Sequence, residues 1–367
     1  MSLRYTTAQN VVQSIYPQKD NIRVIHAVKN FAAISGVCHI GLGVTATNNC
    51  KVLRRQGIHT EAWATQTYKE LADRLRSDKP RTTQGYLPVS HVIVSAPSWV
   101  QPAEFKALTL EHPNIEFVLL NHSGCAYLSI DKNGIRNIKE CVSLEREVHN
   151  FRVAANNKRV NDWLIAGLRA RGLLLTNLYD TTAFVKNYPR RRTIQTLRIG
   201  SFGAGRPWKN QLTASEGAVQ LARQLGTNLE LYVNSKRPDG GERMIESRNE
   251  LFAHERDLKL VEVPWESWPR FAATCGHMHL LLQPSFDETF NVVTADGIAA
   301  GVASVTSSSI EWTPRDWWCE TEDPASIVKV GLQLLHNEFA VEEGRKCLTD
   351  YVNGGIGLWI NYLMGMD

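Results

Sequence analysis

The sequence predicts an α/β chain of two doubly wound, Rossmann-like domains. Three observations carry that expectation. Runs of buried-strand length alternate with helix-length segments along the chain. The alternation breaks at NYPRRRT, residues 187–193, where a proline and three arginines follow a loop-like stretch at 176–182. It restarts near Leu197 with a glycine-rich turn, IGSFGAGRPWKNQ. A chain of 367 residues also exceeds the size at which one hydrophobic core keeps growing. The expected boundaries are 1–190 for the first domain, 191–350 for the second and 351–367 for a closing helix.

In the first half, 22–28 reads as a strand, 39–56 as a helix stopped by Gly57, and 58–64 as the next strand. SHVIVS at 90–95 and IEFVLL at 115–120 are apolar runs of buried-strand type, with a helical stretch at 102–110 between them. Helices at 138–150 and 158–171 flank a short strand at 151–155. Residues 79–88 read as a polar surface loop. In the second half, 211–225 continues the glycine turn as a helix. The chain finishes with two helical patterns, 340–351 and 356–364. This alternation predicts parallel sheets with helices on both faces.

The most informative stretch is 279–307, HLLLQPSFDETFNVVTADGIAAGVASVTS. It reads as strand, Pro-Ser break, helix at 291–300 closed by Gly301, and strand at 302–306. In a parallel sheet such a turn lies at the carboxyl end of its strand, where ligands bind and where free helix N–H groups can hold an anion. Glu288 sits in the turn. Asp296 lies eight residues on, among Val, Thr, Ala, Gly and Ile, so it either reaches solvent or meets a polar ligand, because an unpaired buried acid is costly. Acids near helix starts also suit the macrodipole, and Glu288 alone would say little.

The glycine turn allows three readings. A P-loop needs Lys and Ser/Thr directly after Gly205, but Arg206 and Pro207 stand there. A dinucleotide fingerprint needs Gly-x-Gly-x-x-Gly, whereas Gly200, Gly203 and Gly205 give Gly-x-x-Gly-x-Gly. The third is a diphosphate clamp, with Arg206 and Lys209 directed at one anion and glycine backbone close to it. An ordinary strand-helix turn with surface cations is the plain alternative.

Taken together, these residues resemble the retaining glycosyltransferases of the GT-B fold (group 1, family 4-like). That family's second domain carries an Arg with Lys-Gly or Lys-Asn, then Pro-Ser, Glu, seven residues and Glu. Here the matching residues are Arg206, Lys209-Asn210, Pro284-Ser285, Glu288 and Asp296. The second acid is one methylene shorter than the family's, and Thr289 and Asn291 stand where glycines usually follow the first Glu. The resemblance covers about 197–306 in detail and the first domain in outline. It implies two Rossmann-like domains facing each other across a cleft, with the last helix crossing back onto the first.

By that resemblance Glu288 faces the donor sugar and Asp296 holds the ribose hydroxyls. Gly203, Gly205, Thr289, Phe290 and Asn291 line the donor site. Trp265, in VEVPWESWP, stacks on the nucleobase; two tryptophans packed at a domain surface is the alternative. His122, after IEFVLL, lies near the donor sugar, although a lone histidine is often structural. Ser35-Gly36 and Gly41 correspond to the family's first-domain glycine loop.

The implied activity is sugar transfer from a nucleotide-diphosphate sugar, UDP-linked by expectation, to an acceptor hydroxyl with retention, without metal and without any cofactor besides the donor. Fixed cations and helix N–H groups would stabilise the departing diphosphate. The acceptor is left open among glycan, lipid-linked sugar, metabolite and a hydroxymethylated base in DNA, as for phage enzymes of related fold. A sugar-nucleotide epimerase and a non-catalytic nucleotide-sugar-binding protein are the other classes the same parts allow.

Composition narrows this little. The charge of +4, from 41 basic and 37 acidic residues, permits an anionic partner without demanding one. No apolar run reaches the roughly 20 residues that span a bilayer, and MSLRYTTAQN lacks a signal-peptide core, so the expectation is a soluble cytoplasmic protein. Seven scattered cysteines without a CxxC pair indicate neither a disulfide framework nor a zinc site.

Overall fold

The computed structural model describes residues 22–30, 41–79, 81–82, 85–95, 99–131, 133–185 and 194–366. In its first part come β1 (Arg23–Lys29), α1 (Gly41–Arg55), β2 (His59–Thr65), α2 (Tyr68–Ser77), β3 (Arg81–Thr82), β4 (Gly85–Tyr86), β5 (His91–Ser95) and α3 (Pro102–Glu111). There follow β6 (Glu116–Asn121), α4 (Cys125–Leu128), α5 (Gly134–Glu147), β7 (Phe151–Ala155) and α6 (Lys158–Leu168). The second part holds β8 (Thr196–Ser201), α7 (Gln211–Leu225), β9 (Asn228–Val233), α8 (Glu242–Phe252), β10 (Leu258–Glu262) and α9 (Trp268–Gly276). It closes with β11 (Leu280–Gln283), α10 (Val292–Ala299), β12 (Ser304–Thr306), α11 (Pro324–His336) and α12 (Ala340–Leu363).

Two parallel five-stranded sheets result, ordered β2-β1-β5-β6-β7 and β10-β9-β8-β11-β12. Their strands read as continuous apolar runs because helices cover both faces, and Phe117 to Leu120 and Leu280 to Leu282 are almost wholly shielded. In the second sheet the chain winds outward through β9 and β10, then returns to the other side of β8 with β11. The order reverses between β8 and β11, so the glycine turn after β8 and the Pro-Ser turn after β11 both open onto the crevice at that switch point. Topology therefore gathers what the sequence separates by some 80 residues.

Three expectations change. Residues 79–88 contain the antiparallel pair β3-β4 instead of only loop. The helix expected from 138 begins at Gly134. The two terminal helical patterns are one helix, α12, which runs unbroken through Gly354 and Gly355. A Cβ on Gly355 would lie 2.4 Å from Thr176 Oγ1, so the glycine permits close packing and does not stop the helix. Early in α12, Gly344 meets Trp317 of the second part. Near its end, Trp359 packs 5.3 Å from His26 on β1 and donates to the Thr176 carbonyl at 2.8 Å, while Tyr362 lies 5.5 Å from His91 on β5. One helix thus spans both sheets. The NYPRRRT break and Ser35-Gly36 lie outside the described residues. Among the described residues no helix is long and apolar enough to cross a membrane.

Candidate active site between the two sheets

A cavity of about 310 Å³ opens between the carboxyl ends of the two sheets. The second part supplies its charged wall: Arg206, Lys209, Arg237, Asp287 and Glu288. The short turn Pro207–Lys209 ends on Asn210 at φ 56, a left-handed conformation that glycine and asparagine tolerate best. The Asn210 side chain then donates to the carbonyls of Pro284 at 3.1 Å and Thr321 at 2.6 Å, tying the glycine turn to the Pro-Ser turn. Asn291 is likewise left-handed at φ 63, and its side chain caps α10 by accepting from the Thr294 N–H.

Each clamp cation is held by an acid. Lys209 is ion-paired with Glu288 Oε1, which also accepts from Ser285 Oγ at 3.1 Å and Asn291 Nδ2 at 3.0 Å. Arg206 binds Asp239 Oδ2 through Nε at 3.0 Å and Nη2 at 2.9 Å, and Arg237 binds the same carboxylate through Nε at 3.1 Å. The Arg206 guanidinium also lies over the rings of Tyr127, 5.4 Å away, and Trp208, 5.8 Å away. Arg237 lies 5.8 Å over the ring of Trp265. One end of the cavity therefore joins an indole face to two arginines fixed by one carboxylate.

The first part supplies a wall of neutral polar groups: His122, Ser123, Tyr127, Asn156 and Asn177, with Gly41 and Thr45 from α1. Burial pushes the His122 imidazole down to about 4, so it is neutral at ordinary pH. Three consecutive residues of the turn after β11 reach across to the first part. Asp287 Oδ2 accepts from the Ala126 N–H at 2.8 Å. The Glu288 carbonyl accepts from Arg159 Nη2 at 2.9 Å. Thr289 Oγ1 donates to the His122 carbonyl and accepts from Asn156 Nδ2, both at 3.2 Å.

The structure brings His122, Gly203, Arg206, Lys209, Trp265, Glu288, Thr289, Phe290 and Asn291 around one cavity. Phe290 is mainly a prop. It is 3% exposed, stacks on Trp312 and Tyr351, and lends its carbonyl to Trp312 Nε1. Two residues expected at the ligand are not on the wall. Gly205 gives its N–H to the Arg237 carbonyl at 2.8 Å, and a Cβ there would strike Ile245, so its bareness serves the neighbouring loop. Asp296 is fully buried on α10, where Oδ1 accepts from Tyr179 Oη at 2.7 Å and Trp268 Nε1 at 2.9 Å. Sequence reasoning missed Asn156, Tyr127, Arg237 and Asp239. Asn156 and Tyr127 lie just beyond strands β7 and β6, at the sheet's carboxyl end, and that position was the available signal.

No protein-family model matches the sequence, and no curated protein is similar to it in sequence. Solved structures resemble it in fold. A glycosyltransferase from Rickettsia africae superposes with a TM-score of 0.62 at 11% identity, covering 95% of this chain and 99% of that one. Sucrose-phosphate synthase from Thermosynechococcus elongatus gives 0.62 at 13% identity, over 94% and 100%. The chain has the GT-B fold. Staphylococcus aureus TarM, solved with fondaparinux, alpha-GlcNAc-glycerol and UDP, gives 0.53 at 14% identity over 74% of this chain, which spans only 55% of TarM.

Proposed function

We propose that this GT-B chain is a glycosyltransferase that moves a sugar from a nucleotide-diphosphate sugar to an acceptor hydroxyl, with retention and without a metal ion. The observation that carries the proposal is the single cavity in which Arg206, Lys209 and Arg237 converge beside the Trp265 ring. A nucleotide diphosphate has those two chemistries, an anionic bridge and a flat base. One structural neighbour is named a glycosyltransferase, and TarM was solved with UDP; we take a UDP-sugar as the first donor to test.

In the reaction the bond between sugar C1 and the diphosphate oxygen breaks, and its electron pair stays on the diphosphate. The acceptor oxygen bonds to C1 on the same face, and its proton passes to the departing phosphate oxygen. Arg206 and Lys209 stabilise the growing charge, and their carboxylate partners hold them in place before the donor arrives. Glu288, gripped at Oε1 by three donors, faces the sugar side of the cavity. The experiment is incubation with labelled nucleotide sugars while free nucleotide diphosphate, epimerised donor and glycosylated product are followed. Release of nucleotide diphosphate with acceptor-dependent product is expected. Epimer alone, or no turnover of any nucleotide sugar despite binding, would overturn the assignment in favour of the other two classes.

A further inference from the structure

We propose that Tyr127 is a positioning residue that orients the Arg206 guanidinium from across the cleft through the face of its ring. The proposal rests on the glycosyl-transfer reading for what Arg206 does, whereas the contact itself belongs to the fold. Asp239 divides its two oxygens between two arginines: Oδ1 accepts from Arg237 Nε at 3.1 Å, and Oδ2 accepts from Arg206 Nε at 3.0 Å and Nη2 at 2.9 Å. Arg206 therefore hangs on one oxygen, which is a pivot and not the two-oxygen fork that fixes a guanidinium plane. Its tilt needs a further constraint. The rings of Trp208 and Tyr127 supply it, with centroids 5.8 and 5.4 Å from the guanidinium carbon.

Trp208 belongs to the same turn as Arg206, but Tyr127 comes from the first part, on the short helix α4. A Cβ on Gly124 would strike the Asp287 carboxylate, so the bare residue lets α4 dock on the turn after β11, where the Ala126 N–H meets Asp287 Oδ2 at 2.8 Å. The Tyr127 ring stands at 83° to the nearly buried Trp208 ring, with centroids 6.0 Å apart, and the Trp208 carbonyl accepts from the Phe286 N–H at 2.8 Å. One short segment of the first part thus touches both turns that carry the clamp. Arg206 has all of these constraints only when the two parts lie together as they do here. Charge attracts a bound diphosphate at many tilts of the guanidinium, whereas charge growing on the leaving oxygen is stabilised best by an N–H already aimed at it. Tyr127 therefore acts on turnover more than on binding.

The test joins spectroscopy and kinetics on the full chain. In protein labelled with 15N-arginine, the Arg206 Nε–H signal is assigned by its loss in Arg206→Lys. It should move in Tyr127→Leu, which removes the ring current, and stay near its wild-type place in Tyr127→Phe. With the nucleotide sugar that the wild type turns over, Tyr127→Leu should lower kcat roughly fivefold, the size of one cation–π contact at a partly exposed site, and Tyr127→Phe should recover most of that loss. Calorimetric affinity for UDP alone should change by less than about twofold, because the charge stays on its pivot. In an Arg206→Gln background the leucine should cost almost nothing further, since no cation remains to be oriented. Tyr127 is half-buried, so the fold should survive; if leucine prevents folding, Tyr127→Met takes its place. An Arg206 signal unmoved by loss of the ring would overturn the contact. An equal loss of kcat with or without Arg206, or a phenylalanine variant as impaired as leucine, would overturn the positioning role. A wild type that shows the ring-current shift but turns over no nucleotide sugar would instead count against the transferase assignment.

Discussion

Asp296 Oδ1 accepts a 2.7 Å hydrogen bond from the hydroxyl of Tyr179, which lies 117 residues earlier on the stretch between the two sheets. With Trp268 on the same oxygen, the acid becomes the centre of a buried contact at the domain junction. Desolvation raises its pKa to about 7, against the two hydrogen bonds, which act to lower it. Oδ2 has no partner among the described residues. Lys51 lies 5.3 Å over the Trp268 ring, so a cation of the first part caps the cluster from outside.

This gives a stability prediction with a definite sign. Below the ordinary value of 3.8 both folded and unfolded chains hold the Asp296 proton; from there to about pH 7 only the folded chain holds it, and stability falls as pH rises. Above pH 7 the full cost persists, on the order of 4 kcal/mol at about 1.4 kcal/mol per unit. His26, His91 and His122, lowered to about 3, 4 and 4 by burial, act in the opposite sense, adding stability as pH rises from about 4 toward 6.5. The comparison must therefore be between variants. Asn at 296 keeps the accepting oxygen and cannot ionise, so the Tm of Asp296→Asn relative to wild type should climb between pH 4 and 7. A difference that stays flat over that range would show that the acid never bears the cost of ionising.

The ion pair of Lys209 with Glu288 yields the second prediction. Lys209→Ala removes a cation from the cavity yet leaves Glu288 with Ser285 and Asn291 as donors, so the fold should survive. Nucleotide diphosphate affinity should fall by roughly tenfold or more, the size of one charge-assisted contact. Glu288→Gln should instead retain nucleotide affinity and lose turnover. Calorimetric titration of both variants checks this, and an unchanged Kd for Lys209→Ala would remove the lysine from the clamp.

Thr289→Gly restores the family residue and is expected to weaken the protein. The backbone there does not need glycine, since positive φ falls at Asn291. The change removes the Thr289 bonds to His122 and Asn156 and adds freedom to the unfolded chain, together about 1–3 kcal/mol. Urea unfolding should show a lower midpoint with little change in slope. No shift would mean that these contacts across the cleft contribute nothing net.

The fold was legible because buried parallel strands are apolar on both faces, so β5, β6, β7 and β11 announce themselves within a residue or two. The cavity was legible where ligand chemistry coincides with a switch-point turn, as at Lys209 and Glu288. What escaped was set by tertiary proximity. Asp296 looked like a ligand because its local neighbours are apolar, but its partners, Tyr179 and Trp268, come from other elements. Asp239 lies 33 residues beyond Arg206, outside any motif, and only the fold makes it the counter-ion of two arginines. The fused α12 escaped because Gly354-Gly355 is a stop signal locally and a packing notch globally.

The last prediction separates base from phosphate at the Trp265 end of the cavity. The indole offers a stacking face, and Arg237 lies 5.8 Å above it while its Nε is held by Asp239 at 3.1 Å. Trp265→Ala should cost about 1–3 kcal/mol for nucleoside, nucleoside monophosphate and nucleoside diphosphate alike, because each loses the same stacking surface. Arg237→Ala should cost the diphosphate about tenfold in affinity and the bare nucleoside much less, because a guanidinium acts on phosphate through charge. The loss for Arg237→Ala should also shrink as salt is raised, whereas that for Trp265→Ala should not. Titrating the three ligands against both variants at two ionic strengths reads all of these differences. If Trp265→Ala leaves nucleoside binding intact, the base lies elsewhere, and the Arg237–Trp265 pair is only a packed surface of the domain.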